Sequence, residues 1–289
     1  KGGRFVKWIR LIIAAGICLL FLLSGKELST GDCEEKIVRY VALGDSIAGG
    51  YGLKDVQNDS YVALVQKKLE SVCEGVYAWN FGENGLKSKE LLERLTDSSN
   101  PHYEEYNEAL KEADLVTVSI GSNDLMQYLS QSPDVEKLKK EGDMLFSKAC
   151  TEFQVTLPHL VEEIEKRAPK AEIVMNNIYN PCDDVSFTMD EVFGINIRSI
   201  ASRYIGRLNN SYEEIETLQV FANSGTIKGT PRVQIADVSS VFAESREVCV
   251  NRMISLRGID PHPNKTGHAR IAEEVIGDLE KDGFFERIQ

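Results

Sequence analysis

Short runs rich in β-branched residues recur along this chain, each closed by a turn signal and followed by a segment of helical period. Residues 37–43 (IVRYVAL) stop at Gly44, and residues 115–120 (LVTVSI) stop at Gly121; residues 76–81, 173–179 and 233–238 are of the same kind. Such runs read as buried strands, and 115–120 is apolar enough to be covered on both faces. Between them, residues 60–72 place Val62, Leu64, Val65 and Leu69 on one stripe, and residues 88–95 read as a short helix. Residues 153–167 are amphipathic up to Pro169, and residues 268–279 put Ile271, Ala272, Val275, Ile276 and Leu279 on one face. Strands separated by helices need crossover connections, so the spacing predicts parallel βαβ units in one doubly wound sheet. Two stretches exceed simple connections: 131–150, charged and helical in character, and 181–229, with a long helix around 195–218. Both lie beyond strand ends, where open α/β sheets bind ligands. They read as walls of a substrate site or as solvated surface helices.

The first 25 residues are a different material. They hold Lys1, Arg4, Lys7 and Arg10 and no acid, then an unbroken apolar run over 11–23 closed by Ser24-Gly25. A basic segment followed by a short apolar one is the build of a secretory signal. As a helix the run spans roughly 20 Å, short of the ~30 Å hydrocarbon core; it serves as an uncleaved anchor only if its flanks dip into the bilayer and Arg10 snorkels. Residues 1–25 are therefore read as a signal peptide or N-terminal membrane anchor, 26–36 as a linker and 37–289 as one domain without internal repeat. The expected location is secreted or extracellular. Over all 289 residues, 33 Lys+Arg stand against 45 Asp+Glu, a formal charge of −12. That balance argues against nucleic acid as a partner, which requires clustered cations.

Four short blocks carry the chemistry. Leu43-Gly44-Asp45-Ser46 ends the first strand, where a serine on a tight turn exposes its hydroxyl above the sheet. Asn80-Phe81-Gly82-Glu83-Asn84-Gly85 follows the second strand; its glycines either bring a backbone N–H close to a ligand or simply form a turn. Gly121-Ser122-Asn123-Asp124 follows the third, and the Asn123 amide is a neutral donor to a developing oxyanion or a shaper of its own turn. Asp260-Pro261-His262-Pro263-Asn264 precedes the last helix, and a histidine held between prolines beside a carboxylate suits a general base. Of the other histidines, His102 and His159 read as surface residues and His268 as capping or packing.

Taken together and in this order, the blocks resemble the SGNH (GDSL) hydrolase superfamily over nearly everything from Val41 to Leu279. The resemblance implies a flavodoxin-like three-layer α/β/α sandwich with a five-stranded parallel sheet of order 2-1-3-4-5. It implies Ser46 as nucleophile, His262 as base and Asp260 as the acid that orients it, with an oxyanion hole from the N–H groups of Ser46 and Gly85 and the amide of Asn123. Asp45 and Asp124 are family-like acids that read better as loop-fixing groups, and Asn84 as a turn residue. The family's commonest pattern puts the acid three residues before the histidine, but that position is Ile259 here. Either the loop is reshaped to bring Asp260 onto the imidazole, or a backbone carbonyl orients it. The implied activity is that of an exported serine esterase or lipase with an acyl-serine intermediate, with acyl transfer to a sugar or lipid hydroxyl as the alternative. The substrate is a small-molecule, glycan or lipid ester, and neither metal nor organic cofactor is implied.

Apart from Cys18 inside the apolar run, the cysteines are Cys33, Cys73, Cys150, Cys182 and Cys249. Export permits disulfides. In the 2-1-3-4-5 order Cys33 and Cys73 precede neighbouring parallel strands, and Cys182 and Cys249 follow strands four and five. The expected pairs are Cys33–Cys73 and Cys182–Cys249, with Cys150 left over. The N-x-S/T pattern occurs at Asn58, Asn209 and Asn264.

Overall fold

The computed structural model of the chain describes residues 37–130, 135–182, 197–224, 232–251, 254–255 and 258–289. The apolar runs pair as a parallel sheet of β1 (Ile37–Gly44), β2 (Gly75–Gly82), β3 (Leu115–Ser119), β4 (Glu172–Asn176) and β5 (Val233–Ala236), in the order β2-β1-β3-β4-β5. The chain leaves β1 toward β2 on one side and returns to β3 on the other, so a crevice opens above the carboxyl ends of β1 and β3. Gly44 closes β1 there, in register with Gly82 and Ser119.

In chain order the helices are α1 (Val56–Asp59), α2 (Tyr61–Glu70), α3 (Ser88–Thr96), α4 (Tyr103–Lys111), α5 (Ser122–Ser130), α6 (Val135–Arg167), α7 (Ile197–Ser224), α8 (Val238–Glu244), α9 (Lys265–Lys281) and α10 (Phe284–Ile288). A two-stranded hairpin, β6 (Ile254–Ser255) with β7 (Gly258–Ile259), precedes the last loop. Alternation along the strands builds two cores. Val41, Leu43, Val116 and Val118 face α3, α4, α6 and α7, whereas Tyr40, Ala42, Leu115 and Val174 face α2, α9 and α10. This is the three-layer α/β/α sandwich expected.

Three expectations shift. The segments 131–150 and 153–167 join, from Val135, into the single helix α6, whose buried stripe Phe146, Ala149, Cys150, Phe153, Leu157, Leu160 and Ile164 keeps helical spacing throughout. Pro158 lies on its exposed side, so the Gln154 carbonyl freed by the missing N–H faces water. β4 stops three residues short of Tyr179, because the Asn209 side chain of α7 takes both the N–H and the carbonyl of Ile178, at 2.9 and 2.8 Å. β5 stops at Ala236 because Asp237 caps α8, accepting from Ser240 N–H at 3.1 Å.

The signal or anchor at 1–25, the linker and Cys33 lie outside the described residues. Among the described residues no helix is long and apolar enough to cross a membrane. The expected Cys182–Cys249 disulfide is not formed in the structure, and the Cys249 sulfur donates to the Glu247 carbonyl at 3.6 Å. Of the three N-x-S/T asparagines, Asn209 is committed to Ile178 and Asn264 to Val248 and Val250.

Candidate active site

The crevice is built from its glycines outward. Gly44 adopts φ +138°, and a Cβ there would sit 2.0 Å from the Ser119 carbonyl oxygen. Only a residue without a side chain lets β1 end this close to β3, and the same carbonyl accepts the Asp45 N–H at 2.9 Å. The chain then turns tightly through Ser46. Asp45 Oδ1 accepts the Ile47 N–H at 2.9 Å, and the Tyr51 N–H returns to the Ser46 carbonyl at 2.9 Å. Asp45 is buried, and burial, with the Asp124 charge adding to it, raises its pKa to about 7.

Ser46 Oγ lies 2.9 Å from His262 Nε2, and His262 Nδ1 lies 2.6 Å from Asp260 Oδ1. A carboxylate only accepts, so Nδ1 carries the ring proton and Nε2 is left to accept from the serine hydroxyl. The two-residue spacing of Asp260 and His262 is resolved by an Asx turn. Oδ1 also accepts the His262 backbone N–H at 3.0 Å, folding the carboxylate back over Pro261 onto the ring. Of the two arrangements left open by the sequence, the acid rather than a carbonyl meets the imidazole.

Across the crevice, Gly85 takes φ +84° with nothing within 4 Å of a Cβ, so backbone conformation alone calls for glycine there. Among the described residues, neither the Ser46 nor the Gly85 N–H donates to another group. Asn123 opens α5 and donates through Nδ2 to the Leu86 carbonyl at 3.1 Å, with Asp45 Oδ2 a longer 3.5 Å away. Ser46, Gly85, Asn123 and His262 all line one open cleft of about 510 Å³. Its other walls are largely apolar: Ile47, Leu125 and Met126 of α5, Ile178 beyond β4, and Ile205 of α7. Thus the 181–229 stretch contributes a wall through Pro181 and Ile205, and α5 contributes another through Leu125 and Met126; the start of the 131–150 stretch lies outside the described residues.

The remaining acids and histidines are structural. Asp124 accepts the Ser88 N–H at 3.1 Å and the Ser88 hydroxyl at 2.6 Å, so it caps α3 instead of fixing its own loop. His268 is fully buried, accepts the Tyr61 N–H on Nδ1 at 3.3 Å, and has its pKa lowered to about 4 by burial. His102 is half-buried and His159 exposed, each beside a glutamate one turn on, and Asn84 is exposed. Among the described residues no group of His, Cys, Asp and Glu could hold a metal ion.

Sequence reasoning missed three neighbours of His262. The Tyr51 ring packs at 4.5 Å on the imidazole, the Tyr179 hydroxyl donates to the Pro261 carbonyl at 2.6 Å, and Asn251 Nδ2 donates to Asp260 Oδ2 at 3.1 Å. No local pattern marks them. The α5 wall did carry a signal, an apolar Leu125-Met126 pair directly after a helix-starting Ser-Asn-Asp.

Comparison with known proteins places this geometry. The GDSL-like lipase/acylhydrolase family matches residues 42–270. Bacillus subtilis protein YpmR is 26% identical over 261 residues, covering 90% of this chain and 88% of that one. The spore germination lipase LipC of Bacillus licheniformis is 23% identical over 246 residues, covering 82% and 94%. Among solved structures, the lipase Lip_vut3 from a goat rumen metagenome superposes with a TM-score of 0.59 at 24% identity, covering 83% of this chain and 96% of that one. Phospholipase A1 from Streptomyces albidoflavus NA297 gives 0.57 at 18% identity, covering 83% and 98%; both share the fold.

Proposed function

The chain belongs to the GDSL-like lipase/acylhydrolase family, and on that premise we propose that it is an exported hydrolase of carboxylic esters working through an acyl-Ser46 intermediate. As Ser46 Oγ attacks the ester carbonyl carbon, His262 Nε2 takes its proton. The carbonyl oxygen becomes an oxyanion, received by the N–H groups of Ser46 and Gly85 and by the Asn123 amide, whose second N–H exchanges its long 3.5 Å contact with Asp45 Oδ2 for the oxyanion. Asp260 stabilises the imidazolium. Collapse breaks the bond to the alcohol, which leaves with the proton from His262. Water then repeats the sequence on the acyl enzyme and frees the acid.

The observation that carries this reading is the continuous relay from Asp260 through His262 to Ser46, at 2.6 and 2.9 Å, ending on an open cleft. Hydrolysis is preferred to acyl transfer because the matching family is one of lipases and acylhydrolases. Export rests on the basic and apolar leader, and pairing of Cys73 with Cys33 would accompany it; non-reducing peptide mapping of secreted protein checks both. For the chemistry, Ser46→Ala should abolish both p-nitrophenyl ester turnover and labelling by a fluorophosphonate. His262→Ala should be nearly as damaging, because nucleophile and base act as a unit. Labelling that survives in Ser46→Ala would overturn the assignment.

A further inference from the structure

The Asx turn that brings Asp260 to His262 uses one carboxylate oxygen only. Oδ1 accepts both the backbone and the ring N–H of His262, so nothing within the loop fixes Oδ2. The loop thus restrains the carboxylate through one oxygen only, and it is held at both oxygens only if a group from elsewhere meets Oδ2. Asn251 does so, donating from Nδ2 to Oδ2 at 3.1 Å. Its backbone N–H separately donates to the His262 carbonyl at 2.9 Å, beside an antiparallel bridge between Val250 and Pro263. Asn251 thus reaches both ends of the Asp-Pro-His loop. The buried Tyr179 also holds the loop, donating its hydroxyl to the Pro261 carbonyl at 2.6 Å, with its ring stacked on Phe242 at 4.4 Å. Gly52, in the turn that carries Ser46, covers the pair: a Cβ there would lie 3.1 Å from Asn251 Nδ2 and 3.8 Å from Asp260 Oδ2.

We propose that Asn251 is a positioning residue for the reaction: its side-chain amide holds the second oxygen of the Asp260 carboxylate so that Oδ1 meets His262 Nδ1, with Tyr179 anchoring the loop at Pro261. This rests on the Ser46–His262–Asp260 reading above. A neutral amide suits the task, since it orients the carboxylate without adding a charge that would compete with the imidazolium. The role is also separable from hairpin closure, which the backbone N–H of Asn251 performs whatever its side chain.

The test uses the full chain, p-nitrophenyl butyrate, and the variants Asn251→Ala, Tyr179→Phe, Asp260→Ala and Ser46→Ala. Asn251→Ala should lower kcat about tenfold to hundredfold, the scale on which small misplacements act, with KM within about twofold and little change in thermal midpoint. The far-downfield proton resonance of His262 Nδ1–H should weaken or move upfield, a change that a purely structural role would not produce. Tyr179→Phe should shift kcat and the resonance in the same direction by less. In the Asp260→Ala background Asn251→Ala should cost nothing further, because the two act through one contact. An equal loss in that background, or an unchanged kcat and resonance in the single variant, overturns the role. Asn251→Ser takes the place of the alanine variant if the latter does not fold. Turnover surviving in Ser46→Ala overturns the underlying mechanism as well; with Ser46→Ala inactive, an unchanged Asn251→Ala overturns the positioning role alone.

Discussion

Two glycines flank the crevice for different reasons, and they should respond differently to the same change. At Gly44 an added Cβ meets the Ser119 carbonyl oxygen at 2.0 Å, and that atom belongs to a strand packed on both faces. Neither strand can move away without breaking the sheet register. Gly44→Ala should therefore cost at least ~3 kcal/mol, the upper end of overpacking costs, and leave little folded protein by circular dichroism. At Gly85 the space is open and only the left-handed backbone resists, a penalty of about 1–2 kcal/mol. Gly85→Ala should fold, keep its N–H toward the cleft and retain kcat within about tenfold. Comparable losses of folded protein in the two variants would show that the contact at Ser119 is not what demands glycine at 44. The serine and the first glycine could be read from short blocks because each sits where a strand ends, and the histidine because its block opens the last helix. Asn251 and Tyr179 could not, since each acts through a loop brought to it only by the finished fold.

At the scale of elements, the strands and most helices were legible because burial on two faces imposes a continuous apolar run and burial on one face imposes a stripe. The ends of β4 and β5 were not, because side-chain hydrogen bonds beyond the strands decide them: Asn209 of α7 ends β4 by taking the backbone of Ile178, and Asp237 ends β5 by capping α8. The same kind of cross-element bond joins the cleft walls. Asp124 of α5 caps α3 through Ser88, and the segments on either side of this bond carry Gly85, Lys87, Asn123 and Met126 into the cleft. Asp124→Ala leaves the buried Ser88 hydroxyl and N–H unpaired, a loss of about 1–3 kcal/mol. Urea unfolding should report that loss, and kcat should fall in protein that is still fully folded. Because α5 and α7 line the cleft with Leu125, Met126 and Ile205, an ester with an apolar acyl chain gains contact where an acetyl group does not. Along a p-nitrophenyl series from acetate to octanoate, kcat/KM should rise by about fourfold per buried methylene, the equivalent of about 0.8 kcal/mol. A profile that is flat or falls from acetate would assign the apolar wall to the alcohol side or to packing alone.

Across the whole molecule, two buried groups, Asp45 and His268, make stability depend on pH in opposite senses. Asp45 ionises at about 7 in the folded protein against 3.8 in an ordinary carboxyl, chiefly through burial. Between those values the folded state holds the proton that the unfolded chain has lost, so stability falls as pH rises, by about 4 kcal/mol over the full interval. His268 runs the other way. Its folded value of about 4 lies below the ordinary 6.5, through burial and then the charge of His262, with Asp59 opposing. The unfolded chain takes up that proton first, so stability is complete above about 6.5 and is lost as pH falls toward 4, by about 3 kcal/mol. From pH 4.5 to 6.5 the two slopes, each about 1.4 kcal/mol per unit, nearly cancel. The other shifted carboxylates are common to the wild type and its variants, so they drop out of a comparison between them. Asp45→Asn keeps an acceptor for the Ile47 N–H and removes one slope; relative to wild type it should gain about 2–3 kcal/mol on going from pH 4.5 to 6.5. His268→Gln keeps an acceptor for the Tyr61 N–H and should lose a similar amount over the same interval. Urea unfolding at the two pH values measures both, and slopes of the same sign in the two variants would contradict the opposing titrations. With opposite slopes, the flatness of the wild type is the sum of two buried ionisations, one on the turn that carries Ser46 and one at the start of the helix that follows the histidine loop.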